Sequence, residues 1–312
     1  MGKKRVTKKT AAKAAAETPA PAPAPRPRSF STTGNERPED LFSGTTVYII
    51  RLVFLDVLLG TVPYLRDVYA RFVATHAPEG TDISEELTTV PEPSDPILRR
   101  EAEEKGWTGF HLLDGLPILY NYVIKGFMKE ACGILRWVRA TESKELTAYK
   151  KRINGLAFVY PRQLRLVLPN EAAIPRVECE PADAAVRALM AADDRRPIYI
   201  NNRLILPTLE RPLRAQTAQG ERVTVVRSDI CPAGTSVEFR LSVLDGINIE
   251  MLQEWFSLGV FSGLGQWRSG GHGTFRVEAR IEGSDAPPVE IGTGTMEAPP
   301  EDGADEGAES AE

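Results

Sequence analysis

The chain has 312 residues, 42% of them hydrophobic, and a formal net charge of −5, which is enough apolar material for a buried core. Its three cysteines (Cys132, Cys179, Cys231) are odd in number, far apart and without a CxxC pair, and its three histidines are equally scattered. That excludes a disulfide framework and a zinc site, and it points to a reducing compartment with neither metal nor cofactor. The longest apolar run, Val47 to Leu59, is broken by Arg51 and Asp56 and is too short to span a bilayer; the basic N-terminus precedes no apolar stretch. The expectation is a cytoplasmic protein with no membrane partner.

In chain order, residues 1–40 read as a disordered basic tail. The first 28 carry eight Lys or Arg against Glu17 alone, with Ala and Pro as filler, a composition that cannot bury apolar surface. The body is expected over 41–282, with insertions at about 60–117 and 170–230. VYIIRLVFLDVLL reads as a central strand, apolar on nearly both faces. The insertion at 60–117 suggests a short helix around Tyr64 to His76 and then an acidic, Pro-rich loop, TDISEELTTVPEPSDP. A helix is predicted from Ile118 to Ala140, apolar on one face, with Lys125, Lys129 and Arg136 at helical spacing on another.

Gly155 to Leu168 reads as a strand or hairpin, and 169–196 carries no clear pattern. Pro197 to Arg227 suggests a long hairpin arm, its tip LERPLRAQTAQGERV bearing Arg211, Arg214 and Arg222. Val237 to Val243 alternates apolar with polar residues as a half-buried strand, and Asp245-Gly246 turns the chain. Asn248 caps a helix with Met251, Leu252, Trp255, Phe256 and Leu258 on its apolar face. Phe275 to Ile281 alternates as a final strand. From 283 onward, within a segment of ten acids and no Lys or Arg that starts at Glu282, a solvated acidic tail is expected.

The order is an α+β βαββαβ pattern, ferredoxin-like and RRM-like, with inserted arms. A larger α+β domain of unfamiliar topology is the alternative. Charge is uneven along it: Tyr120 to Arg165 has ten Lys or Arg against three Glu, whereas Thr75 to Lys105 has nine acids against three bases.

Between the last helix and strand lies GLGQWRSGGHG, Gly263 to Gly273, with five glycines. Glycine accepts positive φ and lets backbone N–H groups approach a ligand, so Gly263, Gly265, Gly270, Gly271 and Gly273 can cradle phosphates. Gln266, Arg268 and His272 add polar contacts, and Trp267 can stack on a base. The same glycines also suit a tight crossover packed on the sheet, with Trp267 in the core. The basic helix face likewise serves as a phosphate stripe or as solvated surface.

Three segments resemble the RAMP superfamily of CRISPR systems, especially the backbone subunit that coats guide RNA. They are LQEWFSLGVFSGLGQWRSGGHGTFRV, similar to the family's glycine-rich loop; VIKGFMKEA, similar to the start of its first helix; and VVRSDICPAGTSVEFRL, similar to its turn into the third strand. The resemblance implies a non-enzymatic single-stranded RNA-binding subunit, in a CRISPR complex or a standalone phage context, working as a homo-oligomer or within a multisubunit ribonucleoprotein. Its RNA contacts would be the loop, the face of Lys125, Lys129 and Arg136, and the arm with Arg211 and Arg214. No catalytic residue is expected: His272 is alone in its loop, and Asp114 lies in an Asp-Gly turn signal. A metal-independent RAMP-type endoribonuclease and an assembly protein without RNA are the alternatives.

Overall fold

Alternation of Tyr48, Ile50, Leu52 and Phe54 with Val47, Ile49, Arg51 and Val53 puts four large side chains on one face of β1 (Thr46–Phe54), and all four are buried. The computed structural model describes residues 45–76, 83–217, 220–283 and 288–291. The expected tails, 1–40 and most of 283–312, lie outside them.

After β1 come α1 (Arg66–His76), α2 (Ser84–Thr89), α3 (Pro96–Lys105), β2 (His111–Leu113), β3 (Leu116–Tyr120) and α4 (Asn121–Leu135). Next are α5 (Tyr149–Leu156), β4 (Ala157–Tyr160), β5 (Gln163–Val167), α6 (Pro181–Asp193), β6 (Thr208–Thr217) and β7 (Gly220–Cys231). Last are β8 (Ser236–Val243), α7 (Ile249–Ser257), β9 (Phe275–Ile281) and β10 (Val289–Ile291). The fold is α+β. Among the described residues its main sheet has eight strands in the order β10-β9-β1-β8-β5-β3-β2, with β4 also on β8, and the pairings are antiparallel. At its centre β1 lies between β8 and β9, with Leu52 opposite both Val237 and Val277.

One face of this sheet is covered by α4 and α7. On α4 the buried residues Ile124, Phe127, Met128, Ala131 and Cys132 recur at i, i+3, i+4, i+7 and i+8, and on α7 they are Leu252, Trp255 and Phe256. Phe127 meets the ring of Phe275 at 5.0 Å and that of Phe256 at 6.4 Å. Fully burying one such side chain contributes about 1.5–3 kcal/mol. As expected, the Asn248 side chain caps α7, accepting from the Met251 N–H at 2.9 Å.

Three local expectations are corrected. The helix does not run from Ile118 to Ala140: Ile118, Leu119 and Tyr120 pair with β5, so a ladder claims them first. At the other end the Trp137 and Val138 amides bond back three residues, to Ile134 and Leu135, closing the helix with a turn. The stretch read as an acidic loop contains α2, held by Tyr69 Oη donating to Glu86 at 2.7 Å and by an Arg162–Glu85 ion pair at 3.2 Å. The unpatterned stretch contains α6, whose buried residues Ala185, Ala188 and Ala192 carry little hydrophobic signal.

The arm is the β6–β7 hairpin, paired from Thr208–Asp229 to Thr217–Gly220; ten residues of strand span about 33 Å. Its base is fixed by buried charge. Arg227 is 2% exposed, stacks 4.4 Å over Trp107 and pairs with Asp193. Asp229 accepts from Tyr64 Oη and from Trp107 Nε1, each at 2.6 Å.

Candidate nucleic-acid interface

The glycine loop closes on itself. The Leu264 N–H donates to the Gly273 carbonyl at 2.9 Å, and the Gly273 N–H donates to Val57 at 2.9 Å. A Cβ on Gly263 would lie 2.1 Å from the Gly273 carbonyl group, so these two positions must be glycine for two backbones to touch. Gly265 approaches Leu59 in the same way. Gly271 is different: it has φ +86 and nothing near the position of its missing Cβ.

This packing turns out the middle of the loop. Trp267 has φ 54 and is 40% exposed, so it is not core. Arg211, at the base of the arm, lies 5.8 Å from its ring and donates to Gln266 Oε1. The Arg211 Nε is buried with no hydrogen-bond partner among the described residues, and burial pulls the pKa of its guanidinium down. On the other side His272 sits 5.0 Å from Trp267, its Nδ1 3.0 Å from Asp56 Oδ2. His272 is therefore not alone.

The loop also reaches α4, through Arg268 Nη1 at 2.6 Å from Glu130 Oε2. The face of α4 does not converge on Trp267 as one stripe. Lys125 turns to the Asn154 carbonyl at 3.5 Å and lies 5.2 Å over Phe158. Burial first and neighbouring Lys129 second lower its pKa. Arg136 lies at the far end of the helix, 5.3 Å over Tyr149, and Lys129 lines an open groove with Lys150. Arg214 is opposite Val223 in the arm register; its side chain is outside the described residues. Asp114 (φ 51) and Gly115 (φ 78) form the two-residue turn between β2 and β3, the backbone of a type I′ hairpin.

No protein-family model matches the sequence, and no curated protein matches it. Among solved structures the chain is similar to a chain in a cryo-EM structure of the Type III-B Cmr-beta bound to cognate target RNA. Identity is 12% over 76% of this chain and 61% of that one, with a TM-score of 0.36. The chain thus spans about three-fifths of the length of that neighbour.

Asp56 and Glu130, the partners of His272 and Arg268, lie 216 and 138 residues away from them in sequence. No local pattern marks either one. Chemically, the cluster offers a presented indole, amide and imidazole groups beside it, and a partly buried guanidinium above it. Among the described residues no group of three metal-ligating side chains occurs, and no helix is long and apolar enough to cross a membrane.

Proposed function

We propose that this protein holds single-stranded RNA without cleaving it, as a RAMP-like subunit, along a path over the glycine loop and between the arm and α4. The observation that carries the reading is Trp267, 40% exposed and set under Arg211 of the arm. Base stacking on such an indole is worth roughly 1–3 kcal/mol and is tolerant of sequence. An arginine above it strengthens the platform and meets phosphate. The resemblance of the loop, the α4 segment and the PAGT turn to RAMP sequences supports the same ligand.

The test is titration of the full chain with labelled single-stranded RNA at several salt concentrations. Binding that weakens as salt rises, and that Trp267→Ala reduces, is expected; binding indifferent to both contradicts the proposal.

The Asp56–His272 pair favours a second reading, metal-independent RNA cleavage. A carboxylate on Nδ1 orients the imidazole and leaves Nε2 to move a proton. Labelled RNA incubated with the protein and EDTA separates the two: cleavage abolished by His272→Ala supports this reading, and intact RNA rules it out.

A further inference from the structure

The basic stretch of the sequence is not neutralised evenly. Arg162 is matched by Glu85 and Glu86, Arg165 by Glu171, and the one acid of the middle of α4, Glu130, is taken by Arg268. That leaves Lys125, Lys129, Arg136, Arg139, Lys144, Lys150, Lys151 and Arg152 with no carboxylate partner among the described residues. Of these, Lys129 and Lys150 line an open groove of about 710 Å³, beside Glu130, whose carboxylate is held by Arg268. Its floor is the helix backbone at Gly126 and Gly133, and a Cβ at Gly126 would meet nothing. Lys129 and Lys150 stand beside it, with Tyr149 as a wall, and Arg136 and Lys150 lie 5.3 and 5.9 Å over the Tyr149 ring.

Trp137 forms the end of the groove and is 91% exposed. It is held there by structure: its N–H bonds to Ile134, and the next amide to Leu135, while Thr141 Oγ1 donates to the Leu135 carbonyl. The turn fixes the backbone beneath the indole, so stacking has only its two side-chain torsions to order. Burying it against protein is the other use for such a ring, yet the surroundings carry several unpaired cations, which an apolar partner surface would have to desolvate.

We propose that this groove is a second RNA subsite, in which the sugar-phosphate backbone lies over Gly126 and Gly133 between Lys129 and Lys150 and a base stacks on Trp137. The proposal rests on the reading of Trp267 as the first stacking platform, and the Arg268–Glu130 contact joins the two along α4. The ligand is a polyanion with flat bases, matched by charge and by the indole together.

The experiment uses the full chain and two fluorescein-labelled oligouridines, one of about four nucleotides and one of about fifteen. Trp137→Ala should weaken the longer RNA between about 5- and 100-fold and the shorter one little, with Trp137→Phe recovering part of the loss. Gly126→Leu starts from a Cβ position that meets no protein atom, adds bulk to the floor and should act in the same direction, so the test does not depend on one variant folding. If both RNAs bind and respond to Trp267→Ala but neither responds to the groove variants, this inference fails while the proposed function stands. If neither RNA binds, both fail. If RNA binding is unchanged and Trp137→Ala instead dissolves a homo-oligomer, the groove takes a second copy of the chain and the inference is overturned.

Discussion

Arg268 of the glycine loop lies 2.6 Å from Glu130 of α4, so the cation most obviously placed for phosphate already has a carboxylate. Both side chains are more than a third exposed, and exposed pairs of this kind contribute little to stability, about 0–1 kcal/mol. Their consequence is for binding. Glu130→Gln should release Arg268, tighten RNA binding and steepen the log-log salt dependence by up to about 0.7 for a single strand. Fluorescence anisotropy across a salt series measures both. An unchanged slope would mean that Arg268 lies off the RNA path.

Trp267→Ala should lower RNA affinity by roughly 1–3 kcal/mol and leave the fold in place, since the ring is outside the core clusters. Far-UV circular dichroism and the thermal midpoint check the second half. A collapse in the midpoint would make Trp267 a structural residue.

The glycines of the loop and of α4 divide into those that pack and those that do not. Gly263→Ala pushes a methyl to 2.1 Å from the Gly273 carbonyl group, and because both contacts are backbone nothing can swing aside. We expect a loss of about 1–3 kcal/mol or more, as for overpacked cores. Gly126→Ala, in open space on α4, should be neutral or stabilising by up to about 1 kcal/mol. Urea melts of the two variants separate the cases.

Two buried groups make stability depend on pH in opposite senses. Burial raises the Asp229 pKa from 3.8 to about 7, against hydrogen bonds from Tyr64 and Trp107 that lower it. The folded state therefore holds that proton more tightly than the unfolded chain, and this contribution is lost as pH rises from about 4 through 7. Burial lowers His111 from 6.5 to about 4. The unfolded chain then binds the proton more tightly, and stability is lost as pH falls through that window. The two offset each other between about pH 4 and 6.5. Asp229→Asn should make stability rise with pH there, and His111→Gln, which keeps a partner for Thr89 Oγ1, should make it fall. Urea midpoints at several pH values report each slope.

Strands β1, β8 and β9 and the cap of α7 were legible because their signals are local: a run apolar on nearly both faces for β1, period-two alternation for β8 and β9, and Asn248 three residues before the bonded amide. Helix α2 was hidden because its six residues depend on tertiary partners, Tyr69 and Arg162, rather than on propensity. At the candidate site the loop itself was visible, together with its Trp and Arg. Its wiring was not, since Asp56, Glu130 and the groove at Trp137 acquire meaning only when distant segments meet. Charge counts placed the excess between Tyr120 and Arg165, yet only geometry separates the cations matched by Glu85, Glu86 and Glu171 from those that stay unmatched.

RNA stacking on Trp267 under Arg211 is the core of the proposed function. Its most direct measurement is the affinity of the full chain for single-stranded RNA with Trp267→Ala and Arg211→Ala, singly and together, in a double-mutant cycle. Each single change should weaken binding and the two should be coupled, the double variant losing less than the sum because one platform holds both contacts. Strictly additive losses, or RNA affinity that neither change alters, would contradict it.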